Sequence, residues 1–431
     1  FQDGKGWDIW DVFCKEKGRI YENHNGDVAC DHYHRFREDV ALMKELGIQA
    51  YRFSINWSRV FPNGTGKVNE KGVHFYSELV DELLAAGIEP YITLYHWEMP
   101  YEIYKKGGWM NREIVEWFSD YAAYIVRTFS DRVTKYFTLN EPQCFIGLGY
   151  LNGAHAPGLK VPIRDTFLMA HHALMAHGMA VKKMREAARQ DILIGIAPTG
   201  SMSYPDSDKP EDIEAARQHM MHMVPNLGNW TWNTPWWSDP VFFAQYPEDG
   251  QRIYQEYLPE FSREDMQLIA QPIDIYGQNI YNGNRIRMGE DGRPEVIKRP
   301  DGFPKTATGW PVTPEALGWG AYFLYERYQK PLYITENGMS CHDTVSLDGK
   351  VHDPNRIDFT SRYLHELKLA SERGADIRGY FHWSLMDNFE WNSGYRERFG
   401  LIYVDYATQR RIIKDSGYWY RDIIRENGRS L

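Results

Sequence analysis

The sequence predicts an α/β protein, a single (β/α)8 barrel spanning residues 1–431. Three observations predict it. Apolar, aromatic and β-branched runs alternate with amphipathic segments along the chain, and that alternation means parallel strands joined by helical crossovers. No G-x-G-x-x-G follows the first run, as a doubly wound nucleotide-binding sheet would require. The runs count to seven, one short of a closed barrel. An unclosed barrel leaves two strand edges, which proteins avoid. The first barrel strand is therefore expected to be missing here, with roughly 15–25 residues, one strand and its turns, preceding Phe1 in the native protein.

The elements follow in order. IQAYRFSINW (48–57) reads as the first strand present. EKGVHFYSELVDELLAAG (70–87) has helical periodicity and closes on Gly87, a residue suited to the left-handed step that ends helices. EPYITLYHW (89–97) is a strand, and 111–131 a helix with Asn111 as a plausible N-cap. KYFTLNEP (135–142) is a strand that stops at Pro142, which cannot continue a ladder. A helix over 165–187 and strands over 191–199, 274–281, 331–338 and 377–385 complete the pattern. The aromatic stretch GNWTWNTPWW (228–237) falls in a long irregular insertion and is expected to line the outer half of a cleft.

Composition narrows the function classes. The 431 residues suit one large barrel or two to three ordinary domains. A net charge of −10 with no basic stripe disfavours nucleic acid. No apolar run approaches the ~18 residues of a membrane span. Cys14, Cys30, Cys144 and Cys341 lie far apart without a C-x-x-C pair. They fit reduced thiols in a cytoplasmic setting rather than a disulfide framework or zinc site. The histidine groups at 31–34, 171–172 and 219–222 lack H-E-x-x-H spacing, so no metal or cofactor is expected. Aromatics at 15%, with 15 Trp and 29 Tyr, suit a large core or an aromatic-lined cleft.

In a barrel the C-terminal strand ends form the functional face. Here they carry Arg52, then His96 and Trp97, Asn140 and Glu141, Asn279 and Tyr281, Glu336 and Asn337, and finally His382 and Trp383, followed by Glu390 and Trp391. Glu141 and Glu336 each terminate an apolar strand. Two facing carboxyls are the apparatus of glycosidic bond cleavage, one protonated to donate to the leaving oxygen and one ionised to attack the anomeric carbon. Arg52 and Tyr281 are placed to hold Glu336 ionised. His96, Asn140, Trp383 and Glu390 are suited to grip sugar hydroxyls, and the indole of Trp383 or Trp391 to stack on the apolar face of the ring.

These residues resemble glycoside hydrolase family 1, the β-glucosidase family. The resemblance runs end to end, through YHWEMP, TLNEP, HAPG, ITENG, HWSLMDNFEW and RFGLIYVDY. It implies a retaining β-glucosidase that releases terminal non-reducing β-D-glucosyl residues from cello-oligosaccharides and aryl or alkyl β-glucosides through a covalent glycosyl-enzyme. Glu141 would be the acid/base and Glu336 the nucleophile, about 5–5.5 Å apart. Asn140 would contact the 2-hydroxyl, Asn279 would help order the acid/base region, and Arg52 and Tyr281 would contact the nucleophile. His96, Trp97, Trp383, Glu390, Trp391 and Phe399 would build the glycone pocket.

Two departures stand out. The family's first strand, with its sugar-binding Gln, is absent, and Ile280 stands where the family often has Tyr. Glu390 would repel the phosphate of a 6-phospho-β-glucoside. A broad β-galactosidase/β-fucosidase, a 6-phospho-β-glucosidase and a catalytically inactive sugar-binding barrel are the alternatives. The expected partner is the glucoside substrate, with no nucleic acid or membrane and with homo-oligomerisation left open.

Overall fold

The structure, a computed structural model, describes residues 2–431. The chain divides into two compact units. One comprises the stretch up to Arg19, Ala50–Gly200 and His222–Gly277; the other comprises Ile20–Gln49, Ser201–Met221 and Gln278–Leu431.

The first unit is built on four parallel strands, β1 (Ala50–Ser54), β2 (Glu89–Tyr95), β3 (Lys135–Asn140) and β4 (Leu193–Ala197), adjacent in that order. Phe53, Ile92, Tyr136 and Ile194 lie side by side across the sheet. β2 and β3 are buried almost throughout, as parallel strands covered on both faces must be; β1 is half-buried. The crossovers are helices Glu70–Ala85, Ile114–Phe129 and Ile163–Ala187. The first buries Phe75, Tyr76, Leu79, Val80 and Leu83, the three- and four-residue spacing of one helix face. It closes where Gly87 takes φ 76°, a conformation that costs glycine little. The second starts later than the sequence suggested. Asn111 accepts the Glu113 N–H (3.0 Å) in a preceding turn, and the helix opens at Ile114. Trp57 lies beyond the end of β1, 1% exposed and stacked on Tyr121, so it packs in the core.

The tryptophans of residues 228–237 overturn the expectation of an outer cleft wall. Trp230, Trp236 and Trp237 are at most 1% exposed. Trp230 stacks on Phe167 with centroids 4.0 Å apart, and Trp236 stacks on Tyr246 at 4.5 Å. The segment is not irregular: a short turn, Trp230–Trp232, leads into helix Thr234–Phe243, and Trp230 of the turn and Trp236 of the helix both meet Phe167 on the long Ile163–Ala187 helix. Large flat rings that find such partners gain more by burial than at a wet cleft wall. Only Trp232 stays half-buried.

The second unit contains β6 (Leu332–Asn337) and β7 (Ile377–His382), paired in parallel. On the other side of β6 lies β5 (Tyr276–Asn279), within which the chain passes from one unit to the other. Helices Glu315–Tyr328 and Pro354–Glu372 accompany these strands. Five short strands were not foreseen. Met202–Pro205, Gly283–Met288 and Pro294–Val296 form one small sheet, and Ile402–Asp405 pairs with Arg410–Ile413 in a hairpin.

Beneath this hairpin runs a buried charge network. Lys414 bridges Asp343 (2.6 Å) and Asp387 (2.7 Å). Arg356 pairs with Asp343 (2.8 Å) and with Asp353, and Arg398 pairs with Asp387 (2.6 Å). Asp387 also accepts the Gly400 N–H (3.0 Å), so the network ties both ends of the loop that carries Glu390, Trp391 and Phe399. Removing one partner of a buried pair strands the other in a medium that cannot solvate it. Asp387→Ala should therefore cost about 3–5 kcal/mol of stability, read as a lowered midpoint in urea unfolding. Arg362→Ala, whose Asp358 partner is as exposed as itself, should change stability by less than about 1 kcal/mol.

Candidate active site

In the first unit the candidate residues gather where β1, β2 and β3 end. Asn140 closes β3 and is fully buried. Its amide orientation follows from its neighbours. Arg52 on β1 can only donate, so the amide oxygen faces it (2.6 Å). The amide NH2 then lies 3.1 Å from His96 Nε2 and donates to it. That requires an unprotonated Nε2. It is consistent with burial and, second, the Arg52 charge, which hold the His96 imidazole well below its ordinary pKa. Trp97 takes a left-handed conformation (φ 87°), and its indole N–H donates to the Asn140 carbonyl (3.0 Å). Arg52, His96, Trp97 and Asn140 are therefore one bonded group.

Glu141 follows immediately. The strand ladder shifts register between Phe137 and Asn140. Glu141 then adopts φ 44°, ψ 66°, and Pro142 opens the short helix Pro142–Ile146. The left-handed residue turns the chain out of the sheet, and the proline, whose missing N–H costs nothing in a first helical turn, prevents the strand from continuing. The Glu141 N–H still reaches the Ala197 carbonyl on β4 (2.8 Å), and its side chain is buried. Cys144 Sγ lies 2.9 Å from Glu141 Oε2.

In the second unit Glu336 lies one residue before the end of β6 and is 4% exposed. Tyr281 donates its hydroxyl to Glu336 Oε2 (2.8 Å), and the Ile280 N–H donates to the Glu336 carbonyl (3.0 Å). Asn279 accepts from the Thr335 hydroxyl (2.6 Å). Asn337 donates to the Ile280 carbonyl (2.8 Å) and accepts from Tyr380 (2.8 Å). After Asn337 only glycine fits: a Cβ on Gly338 would lie 1.8 Å from the Trp383 carbonyl oxygen. The Trp383 N–H returns to the Asn337 carbonyl (2.8 Å), and the Trp383–Ser384 peptide is cis. Phe399 is buried, while Trp383, Glu390 and Trp391 are half-buried. The Glu390 N–H donates to the Gly394 carbonyl (2.8 Å), closing the turn around Trp391.

Sequence reasoning passed over three neighbours. Cys144 was detectable, since a residue three positions into a helix shares a face with the residue that precedes it. Trp310, whose ring lies 4.9 Å from that of Tyr281, sits on a loop after no strand and gave no periodic signal. Glu98, directly after Trp97, stands among Asp8, Asp11 and Lys5. Lys5 bridges Asp8 (2.9 Å) and Asp11 (2.5 Å). Burial, and next the Asp8 carboxylate, push the Glu98 carboxyl up to about 8. Three of the histidines in the groups at 31–34 and 171–172 have these neighbours. His171 meets Tyr246 (3.0 Å), His172 the Trp109 carbonyl (2.8 Å), and His32 meets Asp39 (2.8 Å).

Parallel βα units with a buried carboxylate at the end of a strand are the parts of an α/β-barrel hydrolase, and comparison with known proteins defines which class. The family model described as Glycosyl hydrolase family 1 matches residues 1–429. Beta-glucosidase A of Thermotoga maritima is 44% identical over 427 residues, covering 99% of this chain and 93% of that protein. The 1,4-beta-D-glucan glucohydrolase of Thermotoga neapolitana is likewise 44% identical over 427 residues, covering 99% and 94%. Among solved structures, the beta-glucosidase from Thermotoga maritima in complex with castanospermine superposes with a TM-score of 0.89 at 44% identity, covering 99% of this chain and 94% of that one. The chain belongs to glycosyl hydrolase family 1. Its fold class is that of the family, the (β/α)8 barrel.

The Glu98 carboxyl makes stability depend on pH in a stated direction. The folded state keeps this proton up to about 8, whereas the ordinary value is 4.5. The stabilisation is complete below 4.5 and declines as pH rises toward 8. Glu98→Gln, which keeps the neutral shape, should melt higher than the parent protein at pH 8.5, with little difference at pH 4.5. Thermal unfolding at the two pH values checks this.

Proposed function

We propose that this protein is a retaining β-glucosidase, with Glu141 as acid/base and Glu336 as nucleophile in one catalytic domain spanning the chain. The observation that most supports the nucleophile is the Tyr281 hydroxyl, 2.8 Å from a Glu336 carboxylate oxygen. A donor aimed at a carboxylate favours its ionised form, the form that attacks. The glucoside substrate is supported by relatives named beta-glucosidase at 44% identity.

The reaction follows from these roles. Glu336 attacks the anomeric carbon while Glu141 gives its proton to the glycosidic oxygen. The aglycone leaves as an alcohol and the sugar stays bonded to Glu336. Glu141, now ionised, takes a proton from water as that water attacks the same carbon. Glucose departs, and both carboxyls return to their starting states. Asn140, held between Arg52 and His96, presents an amide of fixed orientation to the 2-hydroxyl. His96, Trp97, Trp383, Glu390, Trp391 and Phe399 bind the glucosyl ring. The Glu390 carboxylate favours a free hydroxyl over a phosphorylated one. The four thiols are unbridged, which supports a reducing, cytoplasmic location. Among the described residues no helix is long and apolar enough to cross a membrane.

Three experiments test the assignment. A slow 2-fluoro-glucoside should trap the covalent intermediate, and peptide mapping should find the label on Glu336; label elsewhere refutes the nucleophile. Glu141→Gln should lose roughly 10²–10⁴ in kcat/KM on glucosides with poor leaving groups and far less on dinitrophenyl glucoside. Equal losses on both would refute the acid role. Tyr281→Phe removes a hydrogen bond to a charged group, worth about 1.5–3 kcal/mol, and should lower kcat/KM roughly 10- to 100-fold.

A further inference from the structure

One polar group beside the candidate acid/base has no part in the scheme above. Glu141 immediately precedes the Pro142–Ile146 helix, and Cys144 is the third residue of that helix. The Cys144 N–H donates to the Glu141 carbonyl (2.9 Å), so the first helical turn returns over the residue that opened it. The turn carries Sγ to 2.9 Å from Glu141 Oε2, with the thiol as donor. Both side chains are buried, at 6% exposure each. An ionised carboxylate only accepts hydrogen bonds, and a thiol supplies one weak donor.

The other titratable and charged groups near this turn in the same unit come from several elements. Arg52 on β1 and His96 after β2 both bond to Asn140. Tyr95 packs its ring on Phe145 of the same helix, and His155 packs on Trp97. β4, which accepts the Glu141 N–H, carries no titratable side chain. Arg52 already spends a guanidinium nitrogen on the Asn140 oxygen. His96 is held neutral, and burial pushes the Tyr95 phenol well above its ordinary value. The thiol is the donor that the helix geometry itself aims at the carboxylate.

We infer that Cys144 is a positioning residue for the acid/base: its S–H fixes the Glu141 carboxyl in one orientation and favours its ionised form. This rests on the reading of Glu141 as the acid/base. The consequence is a division between the two half-reactions. Bond cleavage needs Glu141 protonated, and hydrolysis of the glycosyl-enzyme needs it ionised. A donor to the ionised form lowers the pH at which the general acid is lost and favours the second step.

The test is the pH dependence of kcat/KM on 4-nitrophenyl β-glucoside for the parent protein, Cys144→Ala, the nearly isosteric Cys144→Val, and Cys144→Ser. Both apolar variants should move the alkaline limb upward by roughly 0.5 pH unit and leave the acid limb, set by Glu336, in place. Cys144→Ser, which restores a donor, should bring the alkaline limb back to the parent position or below it. Alkaline limbs that coincide in all four proteins overturn the inference. So do both limbs moving together, or a loss of kcat at every pH that serine does not repair, because these mark a packing role only. Glu141→Ala assayed with added azide separates the underlying assignment. Azide needs no general base, so it should restore turnover of an activated glucoside and yield glucosyl azide. Failure of that rescue overturns the reading of Glu141 itself, whatever the Cys144 profiles show.

Discussion

Parallel pairing is the constraint on which the rest depends. When β1, β2 and β3 run in the same direction, their C-terminal ends must fall on one side of the sheet. Side chains far apart in sequence are gathered there without any local contact between them. Arg52, His96 and Asn140 form a single hydrogen-bonded row because three βα units deliver them to one edge. A parallel strand also cannot turn straight back on itself, so each must leave the sheet through an irregular step. At two of these ends a non-glycine residue takes positive φ: Trp97 at 87° and Glu141 at 44°. Such conformations cost energy for residues with a Cβ, and both occur where a side chain has to be redirected out of the alternating pattern of a strand.

The two units hold their candidate residues by different means. In the first, charge is kept sparse. His96 is neutral, and Arg52 is bonded to an amide. The orientation of Asn140 is dictated by a pure donor on one side and an imidazole acceptor on the other. In the second, the loop bearing Glu390, Trp391 and Phe399 is held by single β-bridges, Met386 to Ile402 and Arg398 to Cys341, and buried ion pairs stiffen it further. Lys414, Arg356 and Arg398 are each matched to aspartates out of contact with water. Such pairs add little net stability over an apolar core but penalise every arrangement that breaks them. That property suits a loop that must hold one shape.

Much of the fold was legible in the sequence because its signals are periodic. The crossover helix 70–87 shows its apolar face at helical spacing and its Gly87 stop, and the structure places both as expected. The strand that ends at Asn140-Glu141-Pro142 was legible for the same reason, since proline after an apolar run admits few continuations. The short strands at Met202–Pro205, Gly283–Met288 and Pro294–Val296 were not. At three to six residues they offer too few positions for a period of two to stand out. The 228–237 tryptophans failed in another way. Their composition was read correctly as aromatic and their segment incorrectly as irregular, because Gly, Asn, Thr and Pro there open a helix instead of a loop. Cys144 was visible only once Glu141 was known to lead into a helix.

By itself the sequence determined the order of strands and helices, the residue types at each strand end and, through its motifs, the family. Those are local or periodic properties, set by backbone preference and by the polarity of successive side chains. Only the tertiary structure decided which way the Asn140 amide faces, that His96 is neutral, that Tyr281 bonds to Glu336, and that three tryptophans lie in the core. Each of these depends on groups from separate elements meeting at hydrogen-bond or van der Waals distance away from water. Desolvation and direction act only on atoms already brought together, so no reading along the chain can supply them.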